Sequence, residues 1–356
     1  MATVLISDGR VWNGESFQYA DVLTNGKSIV KIEPNIKDSA DFVFDAKGMT
    51  VSTGLVDAHV HMRGISTDLY GMQAESGCFP FGVTAAADAS GEQGDRALLD
   101  SFMLKNAVFV CARFKNNKAD FTEAERMIEK YGDKVVGIKV YFDATMSDIA
   151  DISPLREVCD YARKKGLRVM VHCSHSPVSM AEILNTLGEG DILTHAFHGG
   201  ANSASEDGFK CLSEAQKRGV IIDVGMAGFV HTDFAIFESA IKCGIKPQII
   251  SSDLTKLSAF TRGGRYGLTT CMSIARALGM NEDEVFRAVT SAPAKALGKE
   301  NEWGYLQAGR NADIAVFEHI GDGYDMTDKS GNRIMGKDGY RCVLTLLDGQ
   351  VVYRRR

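Results

Sequence analysis

Residues 54–63 read Gly-Leu-Val-Asp-Ala-His-Val-His-Met-Arg, an apolar run that ends in two histidines one residue apart. Side chains of a β-strand alternate between its two faces, so His59 and His61 should point the same way and could reach one metal ion. Taken alone the pair is a weak signal, because a histidine on a strand is more often a hydrogen-bonded core residue. Whether the pair binds a metal depends on whether the following strands supply further ligands.

The region from about residue 56 to 297 alternates apolar strand patterns with amphipathic helical patterns. Helical spacing with charged outer faces predicts helices at Glu123–Tyr131, Pro154–Lys165, Met180–Leu187, Ser213–Arg218 and Phe234–Cys243. The predicted strands are Leu55–His61, Val83–Asp88, Ala107–Arg113, Val135–Tyr141, Leu167–His172, Asp191–Ala196, Val220–Val224 and Gln248–Asp253. Eight continuous apolar strands alternating with helices predict an α/β fold, a closed (β/α)8 TIM barrel. An open doubly wound sheet would need a glycine fingerprint after its first strand, but the pair Gly263-Gly264 follows the last strand.

Both ends of the chain have short strand patterns. Near the start the runs are Val4–Ile6, Gly9–Trp12, Ala20–Leu23, Ser28–Ile32 and Phe42–Asp45, with turn pairs at Asp8-Gly9, Asn13-Gly14 and Asn25-Gly26. They predict a small antiparallel sheet, and Asp313–Phe317 and Cys342–Tyr353 look similar. We therefore predict a composite β-sandwich domain from residues 1–53 and 304–356, flanking a hydrolase barrel of residues 54–303.

Composition and charge narrow the class of protein. The 356 residues are 45% hydrophobic and 24% charged, which is ordinary for a globular enzyme with a large core. A formal net charge of −6 argues against a nucleic-acid partner. The eight cysteines are scattered without a Cys-x-x-Cys pair and are expected to be reduced thiols. No signal-peptide pattern or membrane-length apolar run occurs, so we expect no membrane association and a cytoplasmic location.

Metal-type ligands recur where the predicted strands end. His172, His195 and Asp253 close the fifth, sixth and eighth strands, and Lys139 lies near the end of the fourth. In such barrels the active site lies at the carboxyl ends of the strands. A lysine facing the barrel interior must lose its charge, find a counter-ion or be modified. Reaction with CO2 would make it a carbamate able to bridge two cations, while a buried ion pair with Asp253 is the alternative.

Together these residues resemble the amidohydrolase superfamily, specifically its binuclear dihydroorotase-like and predicted deacetylase-like members. The resemblance covers nearly the whole chain, including the segments 291–298 and 304–314. It implies that His59, His61 and Asp253 hold the more buried of two divalent metal ions, that His172 and His195 hold the other, and that carbamylated Lys139 bridges them. Zinc suits imidazole and carboxylate ligands, with manganese and iron as alternatives.

The reaction that the resemblance implies is hydrolysis of an amide, a cyclic amide or an acyl ester in a small-molecule substrate. A hydroxide shared by the two metals would attack the carbonyl, and Asp253 would take its proton and pass it to the leaving group. Arg63, two residues beyond His61, resembles the arginine that holds the substrate carboxylate in dihydroorotases, so a carboxylate-bearing substrate is expected. Arg262 and Arg265 are alternatives for that anion.

Three further residues are candidates for contacts with the substrate. His175 and His198 each follow a proposed ligand by three residues and should lie in loops at the mouth of the barrel. Tyr141, two residues beyond Lys139, should point inward, where its hydroxyl could support the substrate carbonyl or its ring could simply pack. His231 and His319 have no spacing argument and are not included. The segment Leu254-Thr255-Lys256 lacks the histidine that dihydroorotases usually place after the aspartate, and resembles the deacetylase-like branch more.

Two other functions remain open. A deaminase of a heterocyclic amine would use the same barrel, although residues 172–175, His-Cys-Ser-His, lack the glutamate expected near the fifth strand of such enzymes. A non-catalytic scaffold that kept the barrel is the other alternative, and it is disfavoured because all six ligand positions are present. A homo-oligomer is compatible with the sequence.

Overall fold

The computed structural model of the chain describes residues 2–62, 70–90, 96–261, 266–321, 324–336 and 338–355. In chain order the strands are β1 (Thr3–Trp12), β2 (Phe17–Asn25), β3 (Ser28–Glu33), β4 (Phe42–Asp45), β5 (Thr50–Thr53), β6 (Leu55–Val60), β7 (Val83–Asp88), β8 (Lys105–Cys111), β9 (Arg113–Lys115), β10 (Lys118–Asp120), β11 (Val135–Tyr141), β12 (Arg168–His172), β13 (Ile192–Thr194), β14 (Ile221–Ile222), β15 (Ile314–Ile320), β16 (Tyr324–Thr327), β17 (Arg333–Gly336), β18 (Gly339–Leu347) and β19 (Gln350–Arg354). The helices are α1 (Ala74–Cys78), α2 (Arg96–Ser101), α3 (Thr122–Tyr131), α4 (Ser153–Lys165), α5 (Met180–Thr186), α6 (Lys210–Lys217), α7 (Phe234–Lys242), α8 (Lys256–Thr261), α9 (Leu268–Ala277), α10 (Glu282–Ala288) and α11 (Ser291–Ala296).

Strands from both ends of the chain form one sheet. Its order is β19-β18-β15-β5-β1-β2-β3, and β4 pairs with β1. The two ends meet where β5 pairs antiparallel with β15, with Val51 opposite Val316. The apolar faces of these strands pack together, with Val11, Val51 and Val316 fully buried. The termini therefore share one sheet, while a sandwich of two sheets stays a prediction.

Two details of the predicted terminal sheet are wrong. The sheet is mixed instead of antiparallel, because β1 runs parallel to both β4 and β5. The runs on either side of Asp8-Gly9 form the single strand β1, whose register with β2 shifts between Ile6 and Gly9. Asp8 has a φ of 58° there, so the pair makes a bulge within a strand and not a turn. The other two predicted turns do join β1 to β2 and β2 to β3.

The central region is a parallel sheet curled into a barrel. Seven strands pair in the order β6-β7-β8-β11-β12-β13-β14, which follows the chain apart from the hairpin of β9 and β10. All five predicted helices are present, as α3 to α7, with boundaries that differ by up to three residues. The prediction of a parallel barrel of alternating strands and helices is thus confirmed for seven strands.

The eighth predicted strand, Gln248–Asp253, is not a regular strand in the structure. This segment makes single parallel bridges on both sides, from Ile249 to Asp223 and from Leu254 to Val60. Backbone hydrogen bonds support the bridges, with Asp253 N donating to His59 O at 2.8 Å and His61 N donating to Leu254 O at 2.9 Å. Asp253 has a φ of 48°, which is incompatible with a continuous strand. The segment closes the ring while turning the Asp253 side chain out of strand geometry.

Apolar side chains fill the end of the barrel opposite the predicted site. The buried cluster there contains Val56, Ala85, Phe109 and Met170 from four strands, and Trp303 packs against it from below. The buried histidines and Asp253 lie at the other end, where the barrel strands end. Among the described helices, none combines the length and apolar character that a membrane crossing requires.

Candidate metal centre

The six predicted metal ligands converge at the carboxyl ends of the barrel strands. They come from β6 and the residue that follows it, from β11 and β12, from the residue after β13, and from the segment that closes the ring. Each is at most 9% exposed: His59, His61, Lys139, His172, His195 and Asp253. Burying so many polar side chains costs folding free energy unless they hydrogen-bond to one another or bind a ligand. The convergence follows from the parallel barrel, which brings the ends of all its strands to one face.

The first group is His59, His61 and Asp253. Asp253 Oδ1 lies 2.8 Å from His61 Nε2 and 3.3 Å from His59 Nε2. The two imidazole rings are 5.5 Å apart between centroids, as expected for residues i and i+2 that face the same way. One nitrogen of each ring and one carboxylate oxygen therefore point at a common centre, and these three residues could hold a metal ion.

The second group lies beside the first. His172 and His195 are 4.5 Å apart between ring centroids, and His195 is 5.4 Å from His59. Asp253 Oδ2 lies 3.7 Å from His195 Nε2, while Oδ1 faces the first group. Asp253 thus stands between the two groups and presents one oxygen to each.

Lys139 is fully buried in this cluster. Its Nζ lies 3.0 Å from His59 Nε2 and 3.6 Å from Met170 Sδ. Within the described residues, no carboxylate lies within ion-pair distance of Lys139, so the alternative of a direct Lys139–Asp253 ion pair is not what the structure shows. Burial lowers the pKa of Lys139 to about 8, although Asp253 acts to raise it. Only a neutral amine reacts with CO2, and a lowered pKa gives Lys139 a larger neutral fraction near neutral pH than an ordinary lysine has.

A chain of hydrogen bonds orients His59. Thr194 Oγ1 lies 3.1 Å from His59 Nδ1 and donates its hydrogen to Asp223 Oδ2 at 2.7 Å. Ser251 Oγ donates to the same Asp223 oxygen at 2.7 Å. Because the hydroxyl hydrogen of Thr194 is engaged, His59 Nδ1 must donate to Thr194, which leaves the Nε2 lone pair for a ligand. His61 is held in a similar way, with its Nδ1 3.1 Å from Ser90 Oγ.

Hydrogen bonds also select one nitrogen in each ring of the second group. His195 Nδ1 donates to the carbonyl of Gly225 at 2.7 Å, and His172 Nε2 donates to Asp143 Oδ2 at 3.1 Å. His195 Nε2 and His172 Nδ1 are left with free lone pairs. Burial acts to raise the pKa of Asp143, but hydrogen bonds from His172, Thr145 and His175 outweigh it and hold this pKa far below its usual range.

The approach of Gly225 to His195 requires a glycine. Its φ is 55°, and a Cβ there would lie 2.2 Å from Thr194 Oγ1 and 2.6 Å from His195 Nδ1. His195 itself has a φ of 62°, and Asp253 has a φ of 48°. Non-glycine residues in this region are uncommon and are held there by their surroundings, which often happens at functional sites.

Three imidazoles of the site, those of His59, His172 and His195, are in the neutral form that binds metals. Burial lowers the pKa of His59 to about 4, and it also lowers the pKa values of His172 and His195 below the usual value for histidine. Burial acts to raise the pKa of Asp253, but the neighbouring His59 and His61 hold it well below its ordinary value. Neutral imidazoles and an ionised carboxylate are the protonation states that metal binding needs.

The residues present fit two divalent metal ions. In the described part of the chain, the buried atom His195 Nε2 has no hydrogen-bond partner, although it lies among histidines and Asp253. Such an orphaned buried nitrogen is explained if it ligates a metal. Imidazole and carboxylate donors of this kind suit a divalent transition metal such as zinc.

The two groups of candidate ligands line the bottom of a cavity of about 550 Å³, which is large enough for a small molecule. His59, His61, His172, His195 and Asp253 line it together with Tyr141, whose ring is 5.6 Å from His172. The rest of the wall is largely apolar and comprises Tyr70, Ala112, Phe114, Met146, Ala227, Val230 and Leu257, with Arg113 and Ser147 among the polar residues.

The other predicted substrate contacts are placed differently. His175 is half-exposed, with its Nδ1 3.0 Å from Asp143 Oδ2, so it touches the site through Asp143. His198 is buried and accepts a hydrogen bond from Gly200 N at 3.2 Å, and it is not among the residues that line the cavity. Arg63, Arg262 and Arg265 lie outside the described residues. These contacts stay predictions.

Sequence reasoning missed several residues that the structure places in the site. His231 lines the cavity, and its ring centroid is 4.3 Å from that of His195. The available signal was its place in the loop after the seventh strand, at the active-site end of the barrel. Asp223 was also missed, although an acidic residue inside the apolar run of residues 220–224 needs buried partners.

A parallel α/β barrel with a cluster of histidines and one aspartate at the carboxyl ends of its strands defines a barrel protein with a candidate metal centre. More specifically, the chain is a member of the amidohydrolase family, whose family model matches residues 50–352. This confirms the resemblance noted from the sequence.

Individual relatives agree with this family. The chain is 28% identical to a deacetylase of Enterococcus faecalis, with 98% of each chain covered. It is also 28% identical to a deacetylase of Agrobacterium fabrum, with 90% of this chain and 83% of that protein covered. Among solved structures, it is similar to a dihydroorotase (TM-score 0.86, 23% identity, 100% and 99% coverage) and to an adenine deaminase (TM-score 0.85, 25% identity, 99% of both chains).

Proposed function

We propose that this protein is a metal-dependent amidohydrolase that hydrolyses an amide, a cyclic amide or an acyl ester of a small substrate. The observation that carries the proposal is the pair of adjacent ligand groups with Asp253 between them and the buried Lys139 beside His59. One group of ligands alone would suit a single metal ion. Two groups of ligands that share the Asp253 carboxylate suit two metal ions that act on one substrate.

Each residue has a role in this proposal. His59, His61 and Asp253 would hold one metal, and His172 and His195 would hold the second. The Lys139 amine would add to CO2 and release a proton, which gives a carbamate whose two oxygens can serve both metals. When bound, the metals, for which zinc is the best fit, would supply Lewis acidity and ionise water near neutral pH.

We assign the proton transfer to Asp253. Its carboxylate is ionised and its two oxygens face the two groups at the bottom of the cavity. It can accept a proton from the attacking water and deliver it to the leaving nitrogen or oxygen. Tyr141 lines the cavity wall beside His172, which supports the proposed contact with the substrate carbonyl.

The cavity wall indicates the kind of substrate. Met146, Val230 and Leu257 line the cavity and are each more than 50% exposed, an unusual concentration of exposed apolar side chains. We infer that part of the substrate is apolar or aromatic and is buried against these residues. The substrate carboxylate is proposed to pair with Arg63, which lies outside the described residues. Acylated amino acids or hydroxy acids with apolar side chains combine both features.

Two relatives named deacetylases cover most of this chain and support hydrolysis of an acyl group. The adenine deaminase among the similar structures keeps the deamination of a heterocyclic amine as the second candidate. We also propose that residues 1–53 and 304–356 act as one domain beside the barrel of residues 54–303, since their strands share one sheet.

The proposal is tested by metal content and substrate screening together. Protein produced with bicarbonate and zinc or manganese is dialysed and assayed for metal per chain, for wild type and Lys139→Ala. We expect two metals per chain in wild type and fewer in the variant, together with a carbamate signal from ¹³C-bicarbonate that the variant lacks. The screen then compares N-acyl amino acids, cyclic amides and acyl hydroxy acids, with apolar members preferred over polar ones.

Two results would argue against the proposal. One metal per chain that Lys139→Ala leaves unchanged would remove the bridging role of Lys139 and direct the screen to deaminase substrates. A fully metal-loaded protein that releases ammonia from heterocyclic amines, and that cleaves no acyl compound, would establish the second candidate instead.

A further inference from the structure

His231 completes a cluster of three histidines at the second group. Its ring centroid lies 4.3 Å from that of His195 and 4.9 Å from that of His172. One nitrogen of each of the three rings lies within 4.8 Å of the corresponding nitrogens of the other two. No spacing rule relates these residues, since they come from β12, from the end of β13 and from the loop after β14.

Each ring of the cluster has its other nitrogen engaged. His172 Nε2 donates to Asp143, His195 Nδ1 donates to the Gly225 carbonyl, and His231 Nδ1 lies 2.9 Å from Ser174 Oγ. The nitrogens that remain are His172 Nδ1, His195 Nε2 and His231 Nε2. Of these, His195 Nε2 is a buried atom without a partner among the described residues. Three histidines oriented by outer hydrogen bonds are the arrangement of a preorganised metal site.

The loop that carries His231 is attached to the barrel at both ends. Ala227 N donates to Ser252 O at 2.9 Å, next to Asp253, and Asp233 N donates to Phe197 O at 3.0 Å, close to His195. Asp233 also caps α7 by accepting a hydrogen bond from Ile236 N at 3.1 Å. The position of His231 is therefore set by the same backbone that positions Asp253 and His195.

We propose that His231 is a third imidazole ligand of the second metal ion, in addition to His172 and His195. Three histidines bind zinc on their own in some catalytic sites and leave one position open. The second metal would then keep three protein ligands even while Lys139 is not carbamylated. This inference rests on the proposed two-metal site and extends it by assigning a ligand that the resemblance does not include.

The test compares His231→Glu with His231→Gln. The two replacements have nearly the same shape and reach about as far from the backbone as His231 Nε2, but only the carboxylate of Glu is a good zinc ligand. Metal-free protein is titrated with Zn²⁺ against a chromophoric chelator, which gives both dissociation constants per chain without any activity measurement. His319→Asn, in the terminal sheet, is the control for loss of a histidine, and circular dichroism checks the fold of every variant.

We expect His231→Gln to weaken the binding of the second zinc by more than about 100-fold, since even removal of an outer hydrogen-bond partner costs about 10- to 100-fold. His231→Glu should restore most of that affinity, and the affinity for the first zinc should be unchanged in both variants. Equal zinc affinities in wild type, His231→Glu and His231→Gln would overturn the inference and leave the proposed function intact. Wild type that binds fewer than two zinc ions would overturn the two-metal proposal and this inference with it.

Discussion

At the scale of single residues, His59 depends on Thr194 to present the correct nitrogen. Thr194 accepts from His59 Nδ1 and donates to the buried Asp223, so it selects the tautomer whose Nε2 faces Asp253. Thr194→Val keeps the shape and removes the hydroxyl. We expect the affinity for the first metal and kcat/KM each to fall by about 10- to 100-fold, measured by zinc titration and by kinetics on the substrate found in the screen.

Thr24→Val is the matched control for this prediction. Thr24 is equally buried, in β2 of the terminal sheet, and its hydroxyl is 3.5 Å from the carbonyl of Val4. We expect this variant to bind metal like wild type. If Thr194→Val also binds zinc with wild-type affinity, Thr194 does not select the His59 tautomer.

At the scale of elements, Lys105 joins the barrel to the terminal sheet. It begins β8, and its Nζ lies 2.5 Å from Asp313 Oδ2 and 2.8 Å from Asp348 Oδ1, which flank β15 and β19. Asp313 is only 6% exposed, and burial raises its pKa although Lys105 acts to lower it. Lys105→Met would leave Asp313 buried without its cation. We expect the free energy of unfolding to fall by about 3 kcal/mol, seen as a lower urea midpoint.

Lys27→Met serves as the control, because Lys27 approaches the same Asp348 at 3.5 Å but has a side chain that is 73% exposed. Exposed pairs of this kind contribute little to stability, and the urea midpoint should barely change. Equal midpoints for the two variants would mean that the Lys105 ion pairs do not hold the terminal sheet to the barrel.

At the scale of the whole molecule, metal binding and barrel closure are linked. The proposed ligands lie in or directly after β6, β11, β12 and β13, and Asp253 comes from the segment 248–254 that closes the ring between β14 and β6. In the described residues, this closure consists of isolated bridges supported by backbone hydrogen bonds. Metal at about 1,000 times its Kd stabilises a folded protein by about 4 kcal/mol. We therefore expect a chelator to lower the Tm of metal-loaded protein by about 5 °C, measured by calorimetry.

Asp253→Asn separates this effect from a general effect of the chelator. The variant keeps the shape of the ring closure and loses the charged ligand that faces both groups. Its Tm should respond less to the chelator than that of wild type. A chelator response of the same size in both proteins would show that the stabilising metal binds somewhere else.

The parts of the fold that sequence reasoning predicted are those with a local periodic signal. Continuous apolar runs predicted seven barrel strands, and charged helical faces predicted α3 to α7. The strand predictions were wrong where the backbone departs from the two-residue repeat of a regular strand. Asp8 forms a bulge inside β1, and Asp253 leaves strand geometry at the closure of the ring. A bulge or a positive φ depends on tertiary contacts that neither pattern contains.

By itself, the sequence determined a barrel with His59, His61, Lys139, His172, His195 and Asp253 at the ends of its strands. Strand periodicity and the common direction of parallel strands are enough to bring such residues to one face. Only the tertiary structure decided that Thr194, Asp223 and Asp143 orient these side chains and that His231 joins the second group. Those contacts link residues far apart in the chain or in loops, and loops have no period from which a side chain's position can be read.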